Sequence, residues 1–220
     1  MNKNSKIIAT IIGIAVVGAL AYTQLPKGGP DTMQGMSHST MATADAPASS
    51  KAYETAMADM MKGMTAAPTG KADVDFMQGM IPHHQGAIDM AKVELQYGKD
   101  PEVKTLAENV VKAQEGEITF MKDWLSKTDR STLATAPDSA KGNEQAMATM
   151  LKNMAVPYSG DADVDFLKSM IPHHQGAIDM AKVALQFAKD PKVLKLAQDI
   201  VTAQESEIAF MTGWLAKNGK

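Results

Sequence analysis

The sequence predicts an all-α protein: a four-helix bundle formed by two repeated antiparallel helical hairpins, each preceded by a short Met-rich helix. Three observations lead there. The stretch MIPHHQGAIDMAKV, Met80 to Val93, recurs at Met170 to Val183, and Ala52 to Leu125 lines up without a gap with Gly142 to Leu215, so one unit has been duplicated in tandem at an offset of ninety residues. Within each copy, apolar residues recur at three- and four-residue spacing, the period of a helix with one buried face. Between the periodic runs stand Asp100-Pro101 and Asp190-Pro191, each a capping Asp before a Pro at a first helical position. Connections this short force antiparallel neighbours. A two-helix hairpin cannot cover its own apolar stripe, so the two hairpins close on each other with the short helices alongside.

In chain order, Lys3 and Lys6 precede an uncharged run from Ile7 to Tyr22 that closes on Ala19-Leu20-Ala21. A basic start, an apolar run and small residues are the marks of an export signal, so residues 1–21 are expected to be a signal peptide cleaved after Ala21 or a retained N-terminal anchor. Residues 22–50 are rich in Gly, Pro, Ser, Thr and Ala without periodicity and are expected to form a flexible linker. The linker holds MQGMSHSTM, which places Met33, Met36, His38 and Met41 close together. The first helical repeat occupies 51–128 and the second 141–217. Short helices are expected near Ala52 to Met64 and Asn143 to Met154. The first long helices should begin near Asp73 and Asp163, whose carboxylates suit an N-cap, and run to about Tyr97 and Ala188.

Composition narrows the function. A formal charge of -3 and a pI near 5.9, with no cluster of Lys and Arg interleaved with aromatics, leave no footprint for a phosphate backbone, so nucleic acid is not an expected partner. There is no cysteine, hence neither a disulfide framework nor a thiolate metal site. Against that stand 18 methionines, so any soft-ligand chemistry is thioether chemistry.

On the first long helix, 100° per residue puts Met77, Ile81, His84, Ile88, Ala91 and Leu95 on one face. His84 is therefore expected in the core, with His83 on the flank beside Met90 and Met80 at helical spacing from both histidines. His173, His174, Met170 and Met180 repeat the arrangement. Pro82 lacks the N–H that would bond the Gln78 carbonyl and is expected to kink the helix there. The partner helix reads Val103, Leu106, Ala107, Val110, Gln114, Glu117, Ile118, Met121 and Leu125 along its apolar stripe. A carboxylate on such a stripe is costly unless paired. The economical solution is that Glu117 accepts from His84 and Glu207 from His174, with Gln114 and Gln204 beside them as outer groups that orient the imidazoles. A buried His–Glu bond of purely structural value accounts for the same pattern.

Methionines at helical spacing usually fill gaps in a core. The duplication sorts them: Met61 becomes Leu151 and Met77 becomes Leu167, which marks packing positions, whereas Met57, Met60, Met64, Met80 and Met90 recur as Met147, Met150, Met154, Met170 and Met180. Thioether sulfur selects soft monovalent ions, above all Cu(I), and imidazole accepts copper in either oxidation state. Copper is the expected ligand, Cu(I) ahead of Cu(II), with Ag(I) as its mimic. Zinc prefers thiolate, imidazole or carboxylate, and calcium needs oxygen clusters that are absent from the pattern.

The two copies read DFMQGMIPHHQGAIDMA followed by QEGEITFMKDWL, and DFLKSMIPHHQGAIDMA followed by QESEIAFMTGWL. This pattern resembles the helical family of domain of unknown function 305, over about Asp73 to Leu125 and Asp163 to Leu215. The resemblance implies a ferritin-like bundle in a family that includes CopM-type periplasmic copper-binding proteins. It carries copper binding and tolerance over as an expectation, with His83, His84, His173, His174 and the neighbouring methionines as candidate ligands.

Two other classes compete. A ferritin-like di-iron enzyme needs four carboxylates and Glu-x-x-His steps. No Glu-x-x-His occurs, and Glu94, the acid nearest the first histidine pair along its helix, becomes Ala184, so the chain is not expected to be an enzyme. An envelope interaction or structural bundle with structural histidines is the other alternative. The leading expectation is an exported, extracytoplasmic protein that sequesters copper or hands it on. Its candidate receiver is a copper exporter or oxidase of the envelope, and it would meet the membrane only through an uncleaved anchor.

Overall fold

The computed structural model describes residues 47–155 and 157–220. The leader, nearly all of the linker, and with it Met33, Met36, His38 and Met41, lie outside the described residues. Six α-helices follow in order: α1 (Ala48–Gly63), α2 (Ala72–Tyr97), α3 (Pro101–Lys127), α4 (Pro137–Met154), α5 (Ala162–Phe187) and α6 (Pro191–Lys217), with a short 3-10 turn at Arg130–Thr132. There is no strand among the described residues, and none of their helices is long and apolar enough to cross a membrane. The short helices begin earlier than the apolar pattern indicates. Ala48 to Ser50 are helical, with Ser49 and Ser50 buried, and α4 starts at Pro137, where a missing N–H costs nothing.

The two hairpins meet through their first long helices. α2 and α5 pack against each other at the centre, α3 lies along α2, and α6 along α5. The short helices cover the remaining sides: α1 packs on α2 and reaches α5, and α4 packs on α5 and reaches α2. Phe76 and Phe166, Met77 and Leu167, and Ile88 and Ile178 are buried at equivalent places in the two copies. Both long central helices run unbroken through their internal prolines, Pro82 and Pro172.

The acidic entries to α2 and α5 divide into two jobs. Asp75 accepts from the N–H and hydroxyl of Thr69 and from the N–H of Gly70, and Asp165 does the same with Ser159 and Gly160. Each fixes a turn whose glycine has left-handed backbone, φ 76° at Gly70 and 85° at Gly160, where a side chain would be strained. Asp73 and Asp163 correct the sequence reading. They do not cap their own helices, whose N-cap positions are Lys71 and Asp161. Asp73 instead accepts from the N–H groups of Lys189 and Asp190 at 3.0 and 2.8 Å, and Asp163 from those of Lys99 and Asp100 at 3.0 and 2.8 Å. Each copy thus satisfies the start of the other copy's second long helix. Asp100 and Asp190 then cap α3 and α6 as their Asp-Pro steps predict, Asp100 accepting from Glu102 and Val103 and Asp190 from Lys192. Trp124 Nε1–H donates to Asp190 Oδ2 at 3.1 Å and ties the end of α3 to the start of α6.

Candidate metal centre

Because α2 and α5 pack face to face, their histidine pairs come together. His83, His84, His173 and His174 are all fully buried. Ring centroids are 6.4 Å apart from His84 to His83, 3.8 Å from His83 to His173, and 6.1 Å from His173 to His174. The four imidazoles form a row across the junction of the two copies. At its ends His84 Nε2–H donates to Glu117 Oε2 at 2.6 Å, and His174 Nε2–H to Glu207 Oε2 at 2.6 Å. Both carboxylates are partly exposed, 24% and 23%, so each terminal imidazole is held from near the surface.

His83 overturns the flank assignment. One helix seen alone puts it at the edge of the apolar stripe, but that edge is where α5 and α4 land. His83 Nε2 lies 3.2 Å from Met150 Sδ of α4, and its main-chain carbonyl accepts from His173 Nε2–H at 3.0 Å. The copies are not equivalent at this point, since His173 spends its Nε2–H on the His83 carbonyl.

The tautomers follow from the acceptors. A carbonyl or an ionised carboxylate only accepts, so Nε2 carries a proton in His84, His173 and His174, and in His173, held neutral by burial, the lone pair lies on Nδ1. In all four histidines Nδ1 is buried without a hydrogen-bond partner, as are Oε1 of Gln114 and Gln204. Leaving one buried acceptor unsatisfied costs about 1–3 kcal/mol, which makes such a cluster unusual in a purely structural core. Burial, then the neighbouring histidines, holds His83 and His173 well below the ordinary imidazole pKa, so both stay neutral, the form that donates a lone pair.

The candidate methionines are also inside the bundle. Met80, Met170, Met90, Met180, Met60, Met150, Met64 and Met154 are buried, while Met57 and Met147 are partly buried. The glycine after each histidine pair explains how the short helices approach. A Cβ on Gly86 would stand 2.7 Å from Met60 Sδ, and one on Gly176 2.7 Å from Met150 Sδ. Only glycine lets those methionines lie against the central helices one turn from the histidines. The signal is visible in HHQG as a mid-helix glycine, but its partners lie on another element, where local sequence does not point to them. Met180 likewise crosses the junction, its Cε 3.0 Å from where Gly79 would carry a Cβ. Among the described residues no three His, Asp or Glu side chains converge to hold a metal ion.

Paired histidines on two central helices, flanked by methionine-bearing short helices, define a duplicated all-helical bundle with a buried His/Met centre. The chain belongs to the DUF305 family (Domain of unknown function), whose pattern matches residues 21–125 and 73–215, the second match running across both copies. Solved structures similar to it include CopM in its Cu(I)-bound form, 36% identical with a TM-score of 0.51, covering 66% of this chain and 96% of that one. CopM in its Cu(II)-bound form gives 37% and 0.52 over the same shares, and an Ag-bound form 35% and 0.51. A DUF305 protein of Streptomyces coelicolor, described as secreted, is 28% identical with a TM-score of 0.54, covering 69% of this chain and 95% of that one. An uncharacterized protein of Acanthamoeba polyphaga mimivirus is 43% identical over 53 residues, which span 24% of this chain and 35% of that protein.

Proposed function

We propose that this protein is an exported copper-binding protein that holds Cu(I), and Ag(I) as its mimic, at the His/Met centre between its two copies, and sequesters the ion or passes it on without catalysis. The observation that carries the reading is the set of four buried Nδ1 atoms with no partner, one of whose rings already lies 3.2 Å from a thioether sulfur. Buried ring nitrogens without a hydrogen-bond partner are available to a metal ion, and imidazole with thioether is the donor set of a soft monovalent ion. The likeness to CopM, solved with Cu(I), Cu(II) and Ag, supports the metal. The N-terminal export pattern and the likeness to a secreted relative support the location.

His83, His84, His173 and His174 with Met80, Met170, Met60 and Met150 are the central candidates. Met90, Met180, Met64 and Met154, which are buried, and Met57 and Met147, which are partly buried, are the further candidates. Glu117 and Glu207 orient the outer imidazoles. Equilibrium dialysis against a chromogenic Cu(I) competitor tests the reading: retention of Cu(I) and Ag(I) but not Zn(II) or Ca(II) is expected, and binding no stronger than that of a Met-free helical control would end it.

A further inference from the structure

The two copies differ at one end of their junction. Glu94 near the end of α2 becomes Ala184, Gly98 just after it becomes Ala188, and Tyr53 on α1 becomes Asn143. The first two differences are one packing solution. Glu94 is fully buried, and its carboxyl fills the space a side chain at Gly98 would take, since a Cβ there would stand 1.8 Å from Glu94 Oε1. In the second copy Ala184 frees that space and Ala188 occupies it, both buried. Tyr53 adds the third contact. Its hydroxyl lies 3.4 Å from Glu94 Oε2 and 3.2 Å from the Ala162 carbonyl, and its ring stacks on Tyr158 at 5.7 Å.

Glu94 and Asp163, which belongs to the other copy, converge on consecutive residues: Glu94 Oε1 lies against Gly98, and Asp163 accepts from the N–H of Lys99 next to it at 3.0 and 3.1 Å. Two carboxylates only accept, so they bond each other only if one carries a proton. Asp163 already accepts the N–H groups of Lys99 and Asp100. Glu94 has no such donors on Oε1.

We propose that Glu94 is the protonated member of a carboxyl pair with Asp163, and that this shared proton is a pH-sensitive latch holding the end of α2 against the start of α5. The latch contains none of the histidines or methionines of the metal centre and stands independently of it. Burial, then Asp163, pushes the Glu94 carboxyl up to about 8. The other groups acting on the site are Tyr53 from α1, Asp165 from α5, and Lys104 from α3, whose charge favours ionisation. When Glu94 ionises, its proton leaves to solvent base and two anions face each other in a buried site. In the unfolded chain Glu94 ionises near its ordinary 4.5, so between that value and about 8 the folded state holds one more proton. Stability from this group is therefore complete below about 4.5, falls as pH rises, and levels off above about 8.

The experiment follows the denaturation midpoint with pH, from mildly acidic to alkaline, in the native chain, in Glu94→Gln and in Glu94→Ala with Gly98→Ala. The glutamine variant keeps the shape and donates an amide N–H to Asp163, while the double variant installs the second copy's own arrangement. The native midpoint is expected to drop relative to both variants as pH rises through neutrality, and to lie below the double variant at alkaline pH. Histidine contributions are common to all three chains and cancel in these differences. Carboxyl-carbon NMR of the native protein gives an independent reading, with Glu94 titrating in the alkaline range. A Glu94 carboxyl that titrates in the ordinary range, or parallel pH curves for the three chains, overturns the latch. If either variant fails to fold, the native titration alone decides.

Discussion

His83 and His173 stand ninety residues apart in the chain, yet their ring centroids are 3.8 Å apart and the Nε2–H of His173 donates to the His83 carbonyl at 3.0 Å. The row of imidazoles is therefore built by both copies together. His83→Ala and His173→Ala are each expected to remove more than half of Ag(I) binding, measured by competition. Each should also cost on the order of 1–3 kcal/mol in chemical denaturation, since each empties part of a dry core. A loss within about 0.5 kcal/mol, the range of a surface change, would contradict the buried placement.

His84 and Glu117 form the outer pair. His84→Ala leaves a half-buried carboxylate without its donor and is expected to cost on the order of 1–3 kcal/mol. Replacing both at once, His84→Leu with Glu117→Leu, removes the two polar groups together, so stability should largely recover while metal binding through His84 stays lost. A double variant no more stable than the sum of the single losses would show that the pair contributes no coupling.

Gly176 sets the approach of Met150 to His83. A Cβ at Gly176 would come within 2.7 Å of Met150 Sδ, so Gly176→Ala must push the thioether away from the central helix. Ag(I) affinity is expected to fall although no ligand has been changed, and Met150→Leu should reproduce the loss. Unchanged affinity in both variants would remove Met150 from the ligand set.

Asp73 and Asp163 cap each other's hairpins. Asp73→Ala strands the N–H groups of Lys189 and Asp190 and should cost roughly 1–2 kcal/mol, the upper range of an N-cap loss. Because the contact joins the copies, hydrogen exchange should quicken at the start of α6 rather than at the start of α2. Faster exchange confined to α2 would restore the local-cap reading.

Acid should destabilise the metal-free protein. His83 and His173 stay neutral when folded, because burial lowers their pKa, but in the unfolded chain they take up a proton near 6.5. Below that value the unfolded state binds more protons, so stability falls with pH by up to about 1.4 kcal/mol per unit for each histidine. Denaturation midpoints of His83→Gln with His173→Gln should be flatter over this acidic range. An equally steep fall in that variant would assign the effect to other groups.

Much was already written in the sequence by itself. The repeat, the helical period, the Asp-Pro starts and the need to pair Glu117 with His84 are local statements, because helical geometry fixes which residues share a face and which buried charge must find a partner. The His84–Glu117 and His174–Glu207 bonds stand where that reasoning places them. What only the tertiary structure decided is which surfaces of the copies face each other. One helix cannot show that the flank bearing His83 is covered by α5 and α4, that Asp73 reaches across to Lys189 and Asp190, or that Met150 belongs with a histidine of the other copy. Where the copies are identical they carry identical local signals. Their packing against each other creates contacts, and inequalities, that neither copy's periodicity contains.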